Sequence, residues 1–476
     1  MEVYADMETP ISLFKRFEDS GYCFLLESVE GGEKWARFSF MGRNPFLTLK
    51  GSRDKTVVSM KDGNPREFAG NPMEALREVM KEYRGVQLDA MPRFNGGAVG
   101  YFGYDIVRCF EKLPDIPRDD LGLPEGHFML ADEVIAFDHL RQKIKIIVNL
   151  HVGDNLERGY CSVVERIRRI YGEIRQSRWK TENNVKTGYD NTNPAKTSGP
   201  AFECNMTKDE FCGGVVRAKE YIRNGDIFQV VLSQRFSTDT LCDPFNVYRA
   251  LRVINPSPYM YYLKFDNYRL AGSSPEMLVR VENGIVETCP IAGTRKRGSN
   301  PEEDTRLEME LLADEKERAE HIMLVDLGRN DVGKISKFGT VKVRDIMHVE
   351  RYSHVMHLVS NVQGELREDK TPFDALASLL PAGTLSGAPK VRAMEIIDEL
   401  EKTKRGPYAG AVGYLGFNGN IDSCITIRTI IFKDGKAYVQ VGAGIVADSV
   451  PELEYEETQN KGRALFRALE EAGGIT

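Results

Sequence analysis

Apolar positions along this chain fall into two spacings, strict alternation and three-to-four-residue stripes, and each predicts its own element. Residues 133–150, EVIAFDHLRQKIKIIVNL, alternate as two paired strands would. Residues 157–174, ERGYCSVVERIRRIYGEI, carry the stripe of an amphipathic helix. Over 208–236, KDEFCGGVVRAKEYIRNGDIFQVVLSQRF, the pattern reads helix, Gly turn, strand. Residues 259–293 read as consecutive strands joined by Asn and Gly turns, hence antiparallel. Helices are predicted at 302–327, 387–402 and 451–471. Strands in runs and helices in separate runs define an α+β fold, with helices packed outside large antiparallel sheets.

One of these helices poses a problem. In PELEYEETQNKGRALFRAL (451–469), Pro451 suits a first turn and Asp448 and Ser449 are candidate caps. Glu454, Glu457, Lys461, Ala464, Leu465 and Ala468 share one stripe. Its second half is the best core face the helix has, yet it begins with two carboxylates and a lysine. Unpaired buried charge is costly, so something must compensate there. A second acidic pair, Glu317 and Glu320, lies in DEKERAEHIMLVDLGRNDVGKIS (314–336), with His321 beside it and Ala313 and Leu324 on the same side. The apolar residues around this helix predict that it is buried. Oxygen donors without cysteine suit a hard cation, and Mg²⁺ takes one or two carboxylates plus substrate oxygens.

Residues 176–206 are polar, rich in Asn, Thr, Lys, Gly and Pro, and form the predicted linker. It divides an N-terminal region, 1–175, from a C-terminal domain, 207–476. GAVGYFG at 97–103 and GAVGYLG at 410–416 agree in six of seven positions. That echo is either convergence of two Gly-rich strands or a sign of two lobes built on related strands. At 476 residues the chain exceeds one ordinary core. A net charge of −7 gives no basic footprint for nucleic acid. The eight cysteines include no C-x-x-C pair, so reduced thiols in a cytoplasmic protein are expected. The N-terminus lacks the basic start and apolar core of a secretion signal, and no apolar run is long enough to span a bilayer.

Donors for an anionic ligand are present too. Arg428 falls in the alternating stretch IDSCITIRTI, where it would share a face with Thr426 and Cys424. Gly442 and Gly444 in VGAGIVADS (441–449) follow a strand and would let backbone N–H groups approach a carboxylate. PIAGTRKRG (290–298) and LPAGTLSGAPK (380–390) are further Gly-Thr turns, and neither fits the phosphate-loop pattern. SSPE (273–276) ends a strand on Glu276, a candidate general acid.

Together these segments, in order, resemble the chorismate-utilising enzymes, and among them the anthranilate-forming branch. The resemblance covers nearly the whole chain and rests on DIFQVVLSQRF, GSSPEM, CPIAGTRKRG, DEKERAEHIMLVDLGRND, VMHLVS, LPAGTLSGAPK, YAGAVGYLG, ITIRT, GAGIVADS and PELEYEETQNK. It implies an α/β sandwich of two large sheets, with the N-terminal region completing the fold. It implies that Glu320 and Glu457 bind Mg²⁺, that Glu317 and Glu454 assist through water, and that the metal holds the ring carboxylate of chorismate. Gly293 and Thr294 resemble ring-carboxylate contacts; Arg428 and Tyr408, with the backbone at Gly442 and Gly444, resemble contacts of the enolpyruvyl carboxylate. Glu276 resembles the acid that protonates the departing hydroxyl, His357 a residue of the later elimination, and Thr384 a further member of the catalytic set. Lys461 resembles a charge partner of the metal carboxylates.

Two positions separate relatives. Water-using relatives carry a lysine base where this chain has Gln229, and 4-amino-4-deoxychorismate-forming relatives often carry a lysine nucleophile where it has Ala292. Ammonia as nucleophile is what the resemblance implies here. LLES (25–28) and NPSPYMYYL (255–263) resemble a tryptophan feedback site, with Glu27 and Ser28 for the amino group and Pro256, Tyr259 and Met260 around the indole; Tyr262 stands where relatives often carry Phe. No glutaminase nucleophile motif is present, so a separate glutamine amidotransferase subunit is expected, in a heterotetramer of two large and two small chains. Two other readings stay open: the aminodeoxychorismate-forming relative, and a catalytically silent tryptophan-sensing one.

Overall fold

Alternation assigns each strand residue to a face, and here both faces of both sheets are covered. The computed structural model describes residues 1–29, 37–61, 63–86, 88, 91–113, 117–153, 155–175, 202–240, 242–352 and 355–475. Two twelve-stranded sheets with antiparallel pairing lie face to face. In the first sheet, N-terminal strands end at Cys23–Glu27, which pairs with Tyr259–Lys264; Tyr268–Ser274, Thr429–Lys433, Lys436–Ile445 and Gln229–Asp239 follow in that order. In the second, Gly97–Phe102 pairs with Ala411–Gly416, which leads through Ile421–Ile425, Met277–Glu282 and Ile285–Thr288 to Val355–Glu365 and Ile291–Lys296. Both halves of the chain therefore contribute to both sheets. Of the predicted linker, 176–201 lies outside the described residues; its far end is sheet rather than linker, since Glu203–Cys204 pairs with Ser237 and Phe236.

The two echo strands lie against each other, with Gly100 opposite Gly413. A Cβ at Gly100 would lie 2.0 Å from the His127 carbonyl oxygen, and one at Gly413 would lie 2.2 Å from that of Asp422. The shared glycines thus serve the same close approach to the next strand on each side.

Successive residues alternate between layers. Phe24, Tyr261, Val412 and Ile431 enter the core between the sheets, whereas Leu25, Tyr262 and Ile430 face the outer helices of the first sheet. Helix Pro451–Glu471 lies there with Pro244–Ile254, and buries Leu465, Ala468 and Leu469. Full burial of a side chain like Leu465 is worth about 1.5–3 kcal/mol. The N-cap of this helix falls on Val450 and has no side-chain cap; Ser449 Oγ instead accepts the N–H of Val446 at 3.0 Å. The helix predicted at 302–327 is two, Pro301–Ala313 and Glu315–Gly333, broken at Asp314, whose carboxylate accepts the N–H groups of Lys316 and Glu317. The second is one-sided rather than buried: Leu324 and Val325 are covered while Ile322 is 45% exposed. In the 387–402 prediction, the helix itself is Lys390–Leu400, preceded by the short strand Gly387–Ala388.

Candidate active site

A cavity of about 690 Å³ lies at one end of the first sheet. All fourteen residues expected at the catalytic, substrate and metal positions line it: Gly293, Thr294, Glu276, Glu317, Glu320, His357, Thr384, Tyr408, Arg428, Gly442, Gly444, Glu454, Glu457 and Lys461. Glu276 sits two residues beyond strand Tyr268–Ser274, and its backbone carbonyl accepts the N–H of Ile425 at 3.0 Å. Thr384 donates its hydroxyl to Glu276 Oε2 at 3.0 Å. Burial pushes the Glu276 carboxyl above its ordinary pKa, while Thr384, Lys461 and Arg428 pull it back. A carboxyl kept protonated toward neutrality is what a general acid needs.

Arg428 is not in a strand. Ile421–Ile425 belongs to the second sheet and Thr429–Lys433 to the first, and Arg428 stands in the crossover with φ +50°. Its carbonyl accepts the N–H of Ser273 at 3.0 Å, and its Nη1 donates to the Lys461 carbonyl at 2.5 Å. Alternation ran on through a change of sheet, so the pattern looked like one strand. Burial lowers the pKa of the guanidinium, and Glu276, Tyr408 and Glu457 oppose that shift. An arginine remains charged through such shifts.

Gly442 and Gly444 lie within strand Lys436–Ile445, not after it. A Cβ at Gly442 would stand 2.7 Å from the Tyr408 hydroxyl and 2.8 Å from the Leu232 carbonyl. One at Gly444 would stand 2.6 Å from Gln229 Nε2. These glycines therefore make room for two polar side chains beside the strand. Lys461 Nζ donates to the Gly442 carbonyl at 3.0 Å and reaches Glu457 at 2.6 Å.

Across the cavity, Gly293 stands in strand Ile291–Lys296 with φ +68°, at an irregularity in the pairing with Val355–Glu365. His357 Nδ1 lies 2.9 Å from the Gly293 carbonyl, which fixes the proton on Nδ1 and leaves Nε2 as an acceptor. Burial, with Arg428 nearby, lowers its pKa against the pull of that carbonyl, so the ring is neutral at pH 7.

Glu317 and Glu320 come from one helix, Glu454 and Glu457 from the other. Burial raises the pKa of Glu320, and the charges of Glu317 and Glu457 raise it further. Glu454 is raised by burial, with Glu457 adding to it and Ser449 opposing. The charged start of the C-terminal stripe is thus not core: Glu457 has 48% of its side chain exposed. Among the described residues, no three His, Cys, Asp or Glu side chains converge into a ready-made cage. An all-oxygen donor set of mutually repelling carboxylates still fits a hard divalent cation that keeps water or substrate oxygens in its shell.

Other residues in the cavity or beside it, Arg295 among the latter, escaped sequence reasoning. Arg295 donates from Nη1 to Glu317 at 3.2 Å and from Nη2 to Asp314 at 2.7 Å, holding the acidic helix; its signal was the basic run TRKR after the Gly-Thr pair. Gln440 lines the cavity, and its amide oxygen, like that of Gln229, is buried with no partner among the described residues. A polar residue inside a strand gives no local sign of such a position.

A second cavity, of about 510 Å³, lies where the halves meet. Glu27, Ser28, Tyr259 and Met260 line it, and Pro256 does not; Pro258 takes that place. Tyr248 donates to Glu27 Oε2 at 2.6 Å, and Tyr259 donates to Asp422 Oδ1 at 2.9 Å. Among the described residues, no helix is long and apolar enough to cross a membrane.

A mixed fold with two large sheets and an acid-lined, arginine-bearing cavity defines the class, and comparison with known proteins agrees. The family model of the chorismate binding enzyme matches residues 22–467, and the chain belongs to that enzyme family. Within it, the chain is 68% identical to anthranilate synthase component 1 of Acetivibrio thermocellus, over all of this chain and 95% of that protein. The crystal structure of anthranilate synthase component I from Streptococcus pneumoniae superposes with a TM-score of 0.81 at 39% identity, covering 98% of this chain and 99% of that one. The menaquinone-specific isochorismate synthase of Escherichia coli shares the fold at a TM-score of 0.71 and 18% identity, over 98% of this chain and 94% of that one.

Proposed function

We propose that this chain is the large subunit of an anthranilate synthase, converting chorismate and ammonia to anthranilate, pyruvate and water. The observation that carries the reading is one cavity joining a buried, protonation-prone Glu276, the cations Arg428 and Lys461, and the carboxylates of two helices. Arg428 and Tyr408 hold the enolpyruvyl carboxylate of the substrate, and Gly293 and Thr294 meet the ring carboxylate. When bound, Mg²⁺ would neutralise that ring carboxylate, held by Glu320 and Glu457 with Glu317 and Glu454 assisting. Ammonia adds at C2 as the C4–O bond breaks, and Glu276 gives its proton to the leaving hydroxyl, releasing water. Transfer of the C2 proton to neutral His357 Nε2 as the C3–O bond breaks then restores the aromatic ring, and the released enolpyruvate takes up a proton at its methylene carbon to become pyruvate. Gln229 is an amide and cannot deprotonate water, while Ala292 offers no nucleophile; both line the cavity. Ammonia needs neither.

The relatives' name, component 1, supports a second component. We propose that this component is a glutamine amidotransferase that supplies the ammonia, in a heterotetramer of two large and two small chains. The cavity between the halves is proposed to take tryptophan as a feedback inhibitor. The test is direct. Purified chain with chorismate, Mg²⁺ and an ammonium salt should develop anthranilate fluorescence, and omission of Mg²⁺ should abolish it. Formation of 4-amino-4-deoxychorismate or isochorismate instead would overturn the assignment.

A further inference from the structure

Lys390 is buried, ion-paired and outside the lining of the substrate cavity. Its side chain is 13% exposed and that of its partner Asp331 is 6% exposed, and Lys390 Nζ donates to Asp331 Oδ2 at 2.5 Å. Replacing a buried ion pair by apolar side chains is often neutral or stabilising, so such a pair is weak evidence for a stability role. It does fix a distance, which an apolar contact would not. Asp331 lies near the end of helix Glu315–Gly333, the helix whose first turns carry Glu317 and Glu320. Lys390 closes the 380–390 loop, in which Thr384 donates to Glu276. The loop has little slack: Arg405 Nη1 donates to the Leu385 carbonyl at 2.8 Å, and a Cβ at Gly383 would strike Leu327 Cδ1 at 2.8 Å, while just before the loop Ser378 Oγ, in helix Pro372–Leu379, donates to the Asp331 carbonyl at 2.7 Å. A cavity of about 50 Å³ lies between these parts, lined by Glu276, Thr384, Gly383, Leu327 and Asp331.

We propose that the buried Lys390–Asp331 pair is a positioning element for the reaction, locking the 380–390 loop onto the carboxylate helix so that the Thr384 hydroxyl meets Glu276. The inference rests on Glu276 being the general acid of the proposed function. Glu276 is faced by Thr384 from this loop, by Lys461 from the C-terminal helix and by Arg428 from the sheet crossover, and its charge also reaches the Tyr408 hydroxyl and the Cys289 thiol. Of these, only Thr384 depends on the pair. A hydroxyl donated to a carboxylate favours its ionised form, so releasing Thr384 raises the pH at which Glu276 gives up its proton.

The experiment is a pH profile of kcat at fixed unprotonated ammonia for wild type, Thr384→Val, the double variant Asp331→Asn/Lys390→Met, and the triple variant. In Thr384→Val and in the double variant, the loss of activity at high pH should move to higher pH by equal amounts. The triple variant should show no further shift, since groups acting through one contact are not additive. The double variant should lose about tenfold in kcat, with chorismate KM changed less than about twofold, as misplacement of a catalytic contact predicts. Lys390→Arg, which keeps the charge, should restore the wild-type profile. A limb that stays put in the double variant while moving in Thr384→Val, or shifts that add in the triple, overturns the proposal. Should the double variant not fold, Asp331→Glu keeps the charge and displaces the loop by one methylene; an unmoved limb there overturns it equally. Glu276→Gln separates the two levels: full activity in that variant would refute the acid assignment itself, whatever the pair does.

Discussion

Glu276 shows how much one environment can decide. Its folded pKa is raised by burial, so the folded chain holds this proton more tightly than the unfolded chain does. The stability this confers is present below the ordinary carboxylate range and is lost as pH rises through the raised value. Glu276→Gln cannot lose it. The melting temperature of the variant relative to wild type should therefore rise from about pH 4 to about pH 8, and a flat difference would mean the carboxyl is not desolvated. Turnover of the same variant should fall by about 10²–10⁴-fold, the usual worth of a general acid. Glu457 makes the contrast: it is half exposed and paired with Lys461. Glu457→Gln should cost at most about 0.5 kcal/mol in stability, as exposed positions do. It should weaken Mg²⁺ binding, read by calorimetry, by roughly tenfold or more. Normal Mg²⁺ affinity would remove Glu457 from the metal set.

At the scale of elements, the strand Lys436–Ile445 earns its two glycines by what stands beside it. Gly442→Ala would press a methyl onto the Tyr408 hydroxyl and the Leu232 carbonyl, and the backbone contact cannot yield by rotation. The expected outcome is a loss of about 1–3 kcal/mol in thermal unfolding, the cost of overpacking, with a raised chorismate KM because Tyr408 is displaced. An unchanged KM would detach Tyr408 from the substrate. This element also marks where the sequence could be read and where it could not. The C-terminal helix was legible to the residue, Pro451–Glu471, because its stripe is regular and Pro451 opens it. The paired strands Glu133–Asp138 and Lys143–Val148 were legible for the same reason. Arg428 was not, since alternation carries no information on which sheet a residue belongs to, and the chain changes sheets without breaking period. The break at Asp314 was hidden as well: an Asp can end one helix and cap the next while the charge pattern runs on.

For the whole molecule, the chain's halves are joined where the echo strands pair and where Cys23–Glu27 meets Tyr259–Lys264. The motifs of both halves were readable along the chain, but their interleaving in shared sheets was not, because strand order is set by long-range pairing that no local pattern encodes. A ligand in the cavity between the halves touches Glu27 and Ser28 from one and Tyr259 and Met260 from the other. Met260 pairs with Ser273, whose N–H donates to the Arg428 carbonyl, and Glu276 lies three residues further on. Pinning the strand Tyr259–Lys264 therefore bears on Arg428, the proposed carboxylate-binding group, and on Glu276, the proposed acid, together. If tryptophan acts there, Ser28→Leu should weaken its inhibition by roughly tenfold, the worth of a lost hydrogen bond to a charged group. Uninhibited turnover should stay within about twofold of wild type, because no residue of the substrate cavity changes. Coupling between two sites is reciprocal, so chorismate should weaken tryptophan binding by the same factor that tryptophan weakens chorismate binding. Tryptophan titrations of both proteins at several chorismate concentrations measure all three quantities. Equal inhibition of variant and wild type would remove this cavity as the inhibitor site, and tryptophan binding indifferent to chorismate would remove the route through Ser273.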